Sequence, residues 1–133
     1  MKIRVYYEDT DAGGIVYHSN YLNFCERARS EMFFRNGKSP EIDGSFFVIK
    51  RAEANFIKPA KLGDLLCVKN EIVEIKNASL RLYQSIFRDD IKIFEMTSTI
   101  VYVKDGKPVK MNREIINFFR DTLNPNYATK NNK

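Results

Sequence analysis

The rhythm of apolar and polar positions changes along this chain and divides it into successive elements. Residues 2–8 (KIRVYYE) alternate, with Ile3, Val5 and Tyr7 on one face and Arg4 and Tyr6 on the other, which predicts a short strand. Residues 9–14 (DTDAGG) are turn chemistry, since Asp and Gly both tolerate unusual backbone angles. Over 19–36 the spacing becomes three and four: Tyr21, Phe24, Cys25, Ala28 and Met32, with either Phe33 or the neighbours of Ala28, form one apolar stripe, while Glu26, Arg27, Arg29 and Arg35 fall largely outside it. That is a helix, with Ser19 as the expected cap and Gly37 as the stop.

From residue 45 the pattern is that of strands, placed at 45–57, 64–76, 79–89 and 91–104, each rich in Val, Ile, Phe, Tyr and Thr. Lys58-Pro59-Ala60 and Leu62-Gly63-Asp64 interrupt the first gap, Lys76-Asn77 and Asp89-Asp90 the next two, and Asp105-Gly106 ends the last strand. Residues 112–123 predict a second, short helix with Ile115, Ile116 and Phe119 inward. The chain therefore divides into one domain, 1–123, and a polar tail, 124–133. The expected architecture is α+β: a five-stranded antiparallel sheet that wraps the long helix. Such a sheet has open edges, which pairing with a second copy would protect.

Composition narrows the class. The 133 residues suit one domain, and 44% hydrophobic with 29% charged residues suits a packed core rather than disorder. No apolar run approaches the roughly 20 residues of a membrane span, so membrane insertion is not expected. Lys2-Ile3-Arg4 follow Met1 with no apolar stretch, which predicts no secretory signal and a cytoplasmic location. Cys25 and Cys67 are the only cysteines and lie in apolar patterns, as reduced core thiols would. With His18 the single histidine, no metal site is expected. The net charge of +5 favours an anionic partner, whether nucleic acid, acidic protein, membrane surface or polyphosphate ligand; a lysine-rich tail supplies part of it.

The sequence has no nucleophile elbow, no dinucleotide fingerprint and no phosphate-binding loop. Asp9, Asp11 and Gly14 begin like a calcium loop, but Gly13 stands at the fifth position and Asn20 where a bidentate Glu is needed. What remains is Tyr7-Glu8-Asp9-Thr10-Asp11-Ala12-Gly13-Gly14-Ile15-Val16-Tyr17-His18. Three carboxylates crowd into four positions just before a helix, whose first N–H groups are free and electropositive. A carboxylate beside such donors suits acyl transfer: it attacks or activates water while the N–H groups hold the developing oxyanion. The same residues also suit a plain turn and helix cap.

The run YYEDTDAGGIVYHSNYLNFCERARSEMF resembles the start of the YbgC-type acyl-coenzyme A thioesterases, hotdog-fold relatives of 4-hydroxybenzoyl-coenzyme A thioesterase. The likeness extends to about Arg120 and includes F-I-K-P-A-K-L-G-D at 56–64. It implies that Asp11 is the catalytic carboxylate. It also implies that the helix start at His18 polarises the thioester carbonyl, with the His18 side chain assisting, and that Tyr7 contributes to activity. The substrate would be an acyl-coenzyme A, or an acyl group on acyl carrier protein, hydrolysed by a homodimer or homotetramer with the thioester between subunits. The polyanionic nucleotide, rather than nucleic acid, would be the anionic partner. Lys58, Lys76 and Arg81 are candidates to hold it, and no metal or redox cofactor is implied. Glu26 is a secondary choice of carboxylate, because other hotdog enzymes place theirs on this helix. Hotdog hydratases pair His with a carboxylate in a different motif, and the family's link to the Tol-Pal envelope system raises a non-catalytic scaffold as a rival reading.

Overall fold

The computed structural model describes residues 1–123; the tail assigned to 124–133 lies outside the described residues. In chain order the elements are β1 (Lys2–Arg4), a 3-10 turn (Tyr7–Asp9), α1 (His18–Arg35), β2 (Ser45–Phe56), β3 (Leu65–Ile75), β4 (Ser79–Arg88), β5 (Ile91–Lys104), β6 (Lys107–Pro108) and α2 (Arg113–Leu123). The strands form one antiparallel sheet in the order β1-β3-β4-β5-β2, with the two-residue β6 attached to β5. The sheet carries α1 on one face, the hotdog arrangement. Among the described residues no helix is long and apolar enough to cross a membrane.

The stripe on α1 lands where the spacing predicts: Tyr21, Phe24, Cys25, Ala28, Met32 and Phe33 are all buried. The N-terminal half of this stripe packs with Val68, Ile86, Phe94 and Met96. The C-terminal half packs with Leu80, Leu82, Ile100 and the inner residues of α2. Area burial of this kind contributes about 1.5–3 kcal/mol per large side chain. A polar pin fixes the helix against the sheet. Gln84 is wholly buried on β4; its Nε2 donates to the carbonyl of Cys25 at 2.9 Å and to Asn70 Oδ1 at 2.7 Å. Its Oε1 accepts from Arg29 at 2.9 Å, and Asn70 donates to the carbonyl of Ala28 at 3.3 Å. A buried amide must find such partners or carry a desolvation cost of about 1–3 kcal/mol.

Strand β2 differs from the others. It pairs with β5 alone, so its second edge has no strand beside it among the described residues. Phe46, Val48, Ile49 and Phe56 are exposed along it. A bulge at Lys50 separates the pairs Ile49↔Ile100 and Arg51↔Thr99.

Several local expectations change. The strand expected over 2–8 stops at Arg4 because the carboxylate of Asp9 accepts the N–H of Tyr6 at 3.0 Å and bends the chain into the 3-10 turn. Tyr7 is therefore not on an inward strand face but 82% exposed. Asp9 is buried and organises the loop, while Glu8 is exposed. Ser19 does not cap α1: the N-cap is Tyr17, which gives no side-chain hydrogen bond, and Ser19 lies inside the first turn. Cys67 is half-buried, opposite Phe87, rather than a core thiol. The short β6 follows the Asp105-Gly106 turn where only a strand end was expected.

Candidate active site

Asp11 occupies the tip of a tight loop built by its own neighbours. Its N–H donates to the carbonyl of Ile15 at 2.9 Å, and its carbonyl accepts from Gly14 at 3.0 Å. Its Oδ1 accepts from the N–H of Gly13 at 2.8 Å, so the carboxylate is oriented by one backbone donor and otherwise exposed. The two glycines suit this turn for different reasons. Gly14 has φ +80°, and a Cβ on Gly13 would stand 3.2 Å from the Asp11 carboxylate.

The loop is fastened from below. Val16 donates to the carbonyl of Ala60 at 2.9 Å, and Ile15 bridges to Lys61, so residues 58–64 run beside it. That segment is itself fixed: Ala60 N–H donates to the Tyr21 hydroxyl at 3.1 Å, and Arg88 donates to the carbonyl of Pro59 at 2.8 Å and to Asp64 at 3.3 Å. Tyr21 in turn stacks on Phe94, ring centroids 5.1 Å apart and planes 9° from parallel. The F-I-K-P-A-K-L-G-D stretch thus serves as a platform for the Asp11 loop. Burial pushes the Tyr21 hydroxyl above its ordinary range, against the hydrogen bond from Ala60, so it stays neutral and accepts that bond.

The start of α1 adjoins this loop. Tyr17 N–H and the Asn20 side chain both donate to the carbonyl of Asp9, at 3.0 and 2.9 Å. Asp9 is therefore an organiser of the loop through both its carboxylate and its carbonyl. No side chain caps the helix and no acidic residue lies in its first turn. The positive end of the helix dipole is thus left for a ligand. His18 is exposed, its ring edge-on to Phe56 at 4.7 Å.

The predicted residues are only partly gathered. Asp11 and His18 belong to this one corner, and Tyr7 joins it through its backbone, whose carbonyl accepts the Thr10 hydroxyl at 2.9 Å, while its ring is exposed. Lys58 lies exposed on the platform. Lys76 and Arg81 lie at the opposite end of the β3–β4 hairpin of the same chain, roughly 30 Å along the strands. Arg81 also pairs with Glu74 at 3.5 Å. Glu26 is eight residues along α1 from His18 and accepts from the Ser30 hydroxyl at 2.9 Å. Sequence patterning passed over Phe56, Arg88, Arg29 and Gln84. Only the polar Gln84 at an inward strand position could have signalled a partner on the helix. No three His, Cys, Asp or Glu side chains converge among the described residues.

Cys25 faces the core, and burial pushes its thiol up to about 12. In the native protein a thiol reagent is expected to label Cys67 and leave Cys25 unreacted until unfolding. A Cys67→Ser chain that still labels quickly would show that α1 does not hold this face inward.

The fold and this corner define a class. A family model described as the thioesterase superfamily matches residues 13–95, and the chain belongs to that family. Within it the similarity is to YbgC proteins. A Helicobacter pylori acyl-CoA thioesterase YbgC is 48% identical over 87 residues, 65% of each chain, so this chain spans about two thirds of that relative's length. A Haemophilus influenzae acyl-CoA thioesterase YbgC is 40% identical over 119 residues, 85% of this chain and 88% of that one. The crystal structure of a probable thioesterase from Bartonella henselae superposes with a TM-score of 0.80 at 32% identity, covering 84% of this chain and 97% of that one.

Proposed function

We propose that this protein hydrolyses the thioester of an acyl-coenzyme A to the free acid and coenzyme A, with Asp11 as the central carboxylate. The observation that carries this reading is the placement of an exposed, backbone-oriented carboxylate directly before a helix start that no side chain caps. The similarity to proteins named acyl-CoA thioesterases supports the substrate class.

The chemistry follows from the charges. The thioester carbonyl oxygen lies against the first N–H groups of α1, near His18, which stabilise negative charge as it develops. Asp11 then acts in one of two ways. As nucleophile it attacks the carbonyl carbon, the C–S bond breaks to release coenzyme A thiolate, and water hydrolyses the mixed anhydride. As base it takes a proton from water, which attacks the same carbon. Both routes consume one water and yield acid and thiol. Label in the Asp11 side chain after a single turnover in ¹⁸O-water establishes the nucleophilic route, since water attacking the Asp11 carbonyl of the anhydride leaves its oxygen there and the base route never does. His18 and Tyr7 assist at the carbonyl. Lys58 of this corner, with Lys76 and Arg81 brought from a partner subunit, hold the polyanionic nucleotide. An acyl carrier protein would present the same thioester, and thiol release from each carrier compares them.

The assembly in this reading is a homodimer or homotetramer. The open edge of β2 and the exposed Phe46 and Val48 beside it favour pairing with a second copy. Light scattering at micromolar concentration is expected to give at least twice 15.6 kDa. A mass of 15.6 kDa alone would remove the intersubunit site.

A further inference from the structure

The inner face of β2 is filled unevenly. Phe56 and Ile49 face inward beside Phe94 and Ile100, and between them stand only Ala54 and Ala52, beside Met96 and Ser98. Along this gap α1 presents His18, Leu22, Glu26 and Arg29 at helical spacing. His18 touches Phe56 at the end nearest Asp11. At the other end is a cleft of about 110 Å³, walled by Arg29, Ile49, Leu82 and Ile100 among others.

Two polar groups, Arg29 in the cleft wall and Ser98 just behind it, have fewer partners than their burial favours. Arg29 is half-buried, its one hydrogen bond goes to the neutral amide of Gln84 at 2.9 Å, and the nearby Glu26 attracts it without forming a salt bridge. Ser98 is 1% exposed, and its hydroxyl has no hydrogen-bond partner. Ser98 lies opposite Leu82 and two residues from Ile100, both cleft walls. A half-buried guanidinium whose one hydrogen bond goes to a neutral amide, and an idle buried hydroxyl, each gain when a ligand anion answers them.

We infer that this cleft receives the far end of the acyl group and that Arg29, with Ser98 as second donor, selects acyl groups ending in a carboxylate. This rests on the reading of the Asp11 corner as the place of thioester hydrolysis. The spacing fits. Gln84 and Met96 form the inward row next to Ile86 and Phe94, roughly 7 Å further along the sheet. An acyl chain with its carbonyl at the start of α1 therefore reaches Arg29 within a short to medium length, and Ala52 and Ala54 leave it width. Glu26 lines the same cleft and opposes a second carboxylate, so it tempers the preference.

The test compares matched thioesters on the full chain: succinyl- with butyryl-, adipoyl- with hexanoyl-, and suberoyl- with octanoyl-coenzyme A. The readout is the ratio of kcat/KM within each pair. Wild type is expected to favour the carboxylate member of at least one pair by on the order of tenfold. Arg29→Met, which keeps the stem, lowers that ratio by on the order of tenfold or more, and Glu26→Gln raises it. If Arg29→Met does not fold, Ser98→Ala is read instead and lowers the ratio severalfold. A preference for the plain alkyl member in every pair, or a ratio unmoved by both Arg29→Met and Ser98→Ala, overturns the inference and leaves thioester hydrolysis standing. No turnover of any thioester overturns both.

Discussion

Asp11→Asn is expected to slow turnover of acyl-coenzyme A by on the order of a hundredfold or more while the protein stays folded and assembled. The amide keeps an oxygen at the position that accepts the Gly13 N–H at 2.8 Å, so the turn survives and only the charge is lost. Substrate binding weakens little, because the nucleotide and acyl chain rest on other residues. The neighbouring carboxylates differ as controls. Asp9 is buried and holds the N–H of Tyr6, so changing it disturbs the loop itself. Glu8 is exposed, and Glu8→Gln is the clean comparison, expected to retain wild-type turnover. Steady-state thiol release with circular dichroism decides. A folded Asp11→Asn chain of near wild-type rate removes Asp11 from the chemistry. One that unfolds returns it to a turn-forming role.

Phe94→Ala carries the largest expected effect on stability, about 3–5 kcal/mol. The ring is wholly buried, stacks on Tyr21 at 5.1 Å and meets Phe56 at 5.2 Å. Its loss leaves a cavity at the centre of the first core cluster, a large share of the 5–15 kcal/mol typical of a domain. The effect reaches function as well, since Tyr21 then holds the Ala60 N–H less firmly and the platform under Asp11 loosens. Urea unfolding measures it. A loss below about 1 kcal/mol would mean that this aromatic stack does not support the fold.

The large elements were legible in the sequence because their period is set by burial on one side. Tyr21, Phe24, Cys25, Ala28 and Met32 turned inward together, with Phe33 rather than the neighbours of Ala28 completing the stripe, and strands 79–88 and 91–104 fell within a residue of their expected bounds. Tyr7 was misplaced because alternation in 2–8 continues past the point where a side chain, Asp9, captures the backbone. Ser19 was misplaced because capping chemistry does not reveal that Tyr17 already begins the turn. Within the candidate site, the turn-forming Asp11-Gly13-Gly14 combination was visible as local chemistry. The platform was not, because Arg88 and Tyr21 reach it from residues 29 and 39 positions away from their partners. The pin at Gln84 was hidden for the same reason: nothing near it in sequence names Cys25 or Arg29 as its partners.

The position of β2 in the sheet matters to the chain while it is being made. β2 leaves the ribosome without its strand neighbour, because its partner residues on β5 come roughly 40 to 60 positions later. At 5–20 residues per second that is an interval of roughly two to twelve seconds. In that interval Phe46, Phe47, Val48 and Ile49 are an apolar strand segment open to any similar segment on a neighbouring nascent chain. Lys50, Arg51 and Glu53 follow it directly, and charges in such a place act as gatekeepers against edge-to-edge stacking. The charged run in the middle of β2 thus guards the newborn chain, at a strand that its own chain pairs on one edge alone.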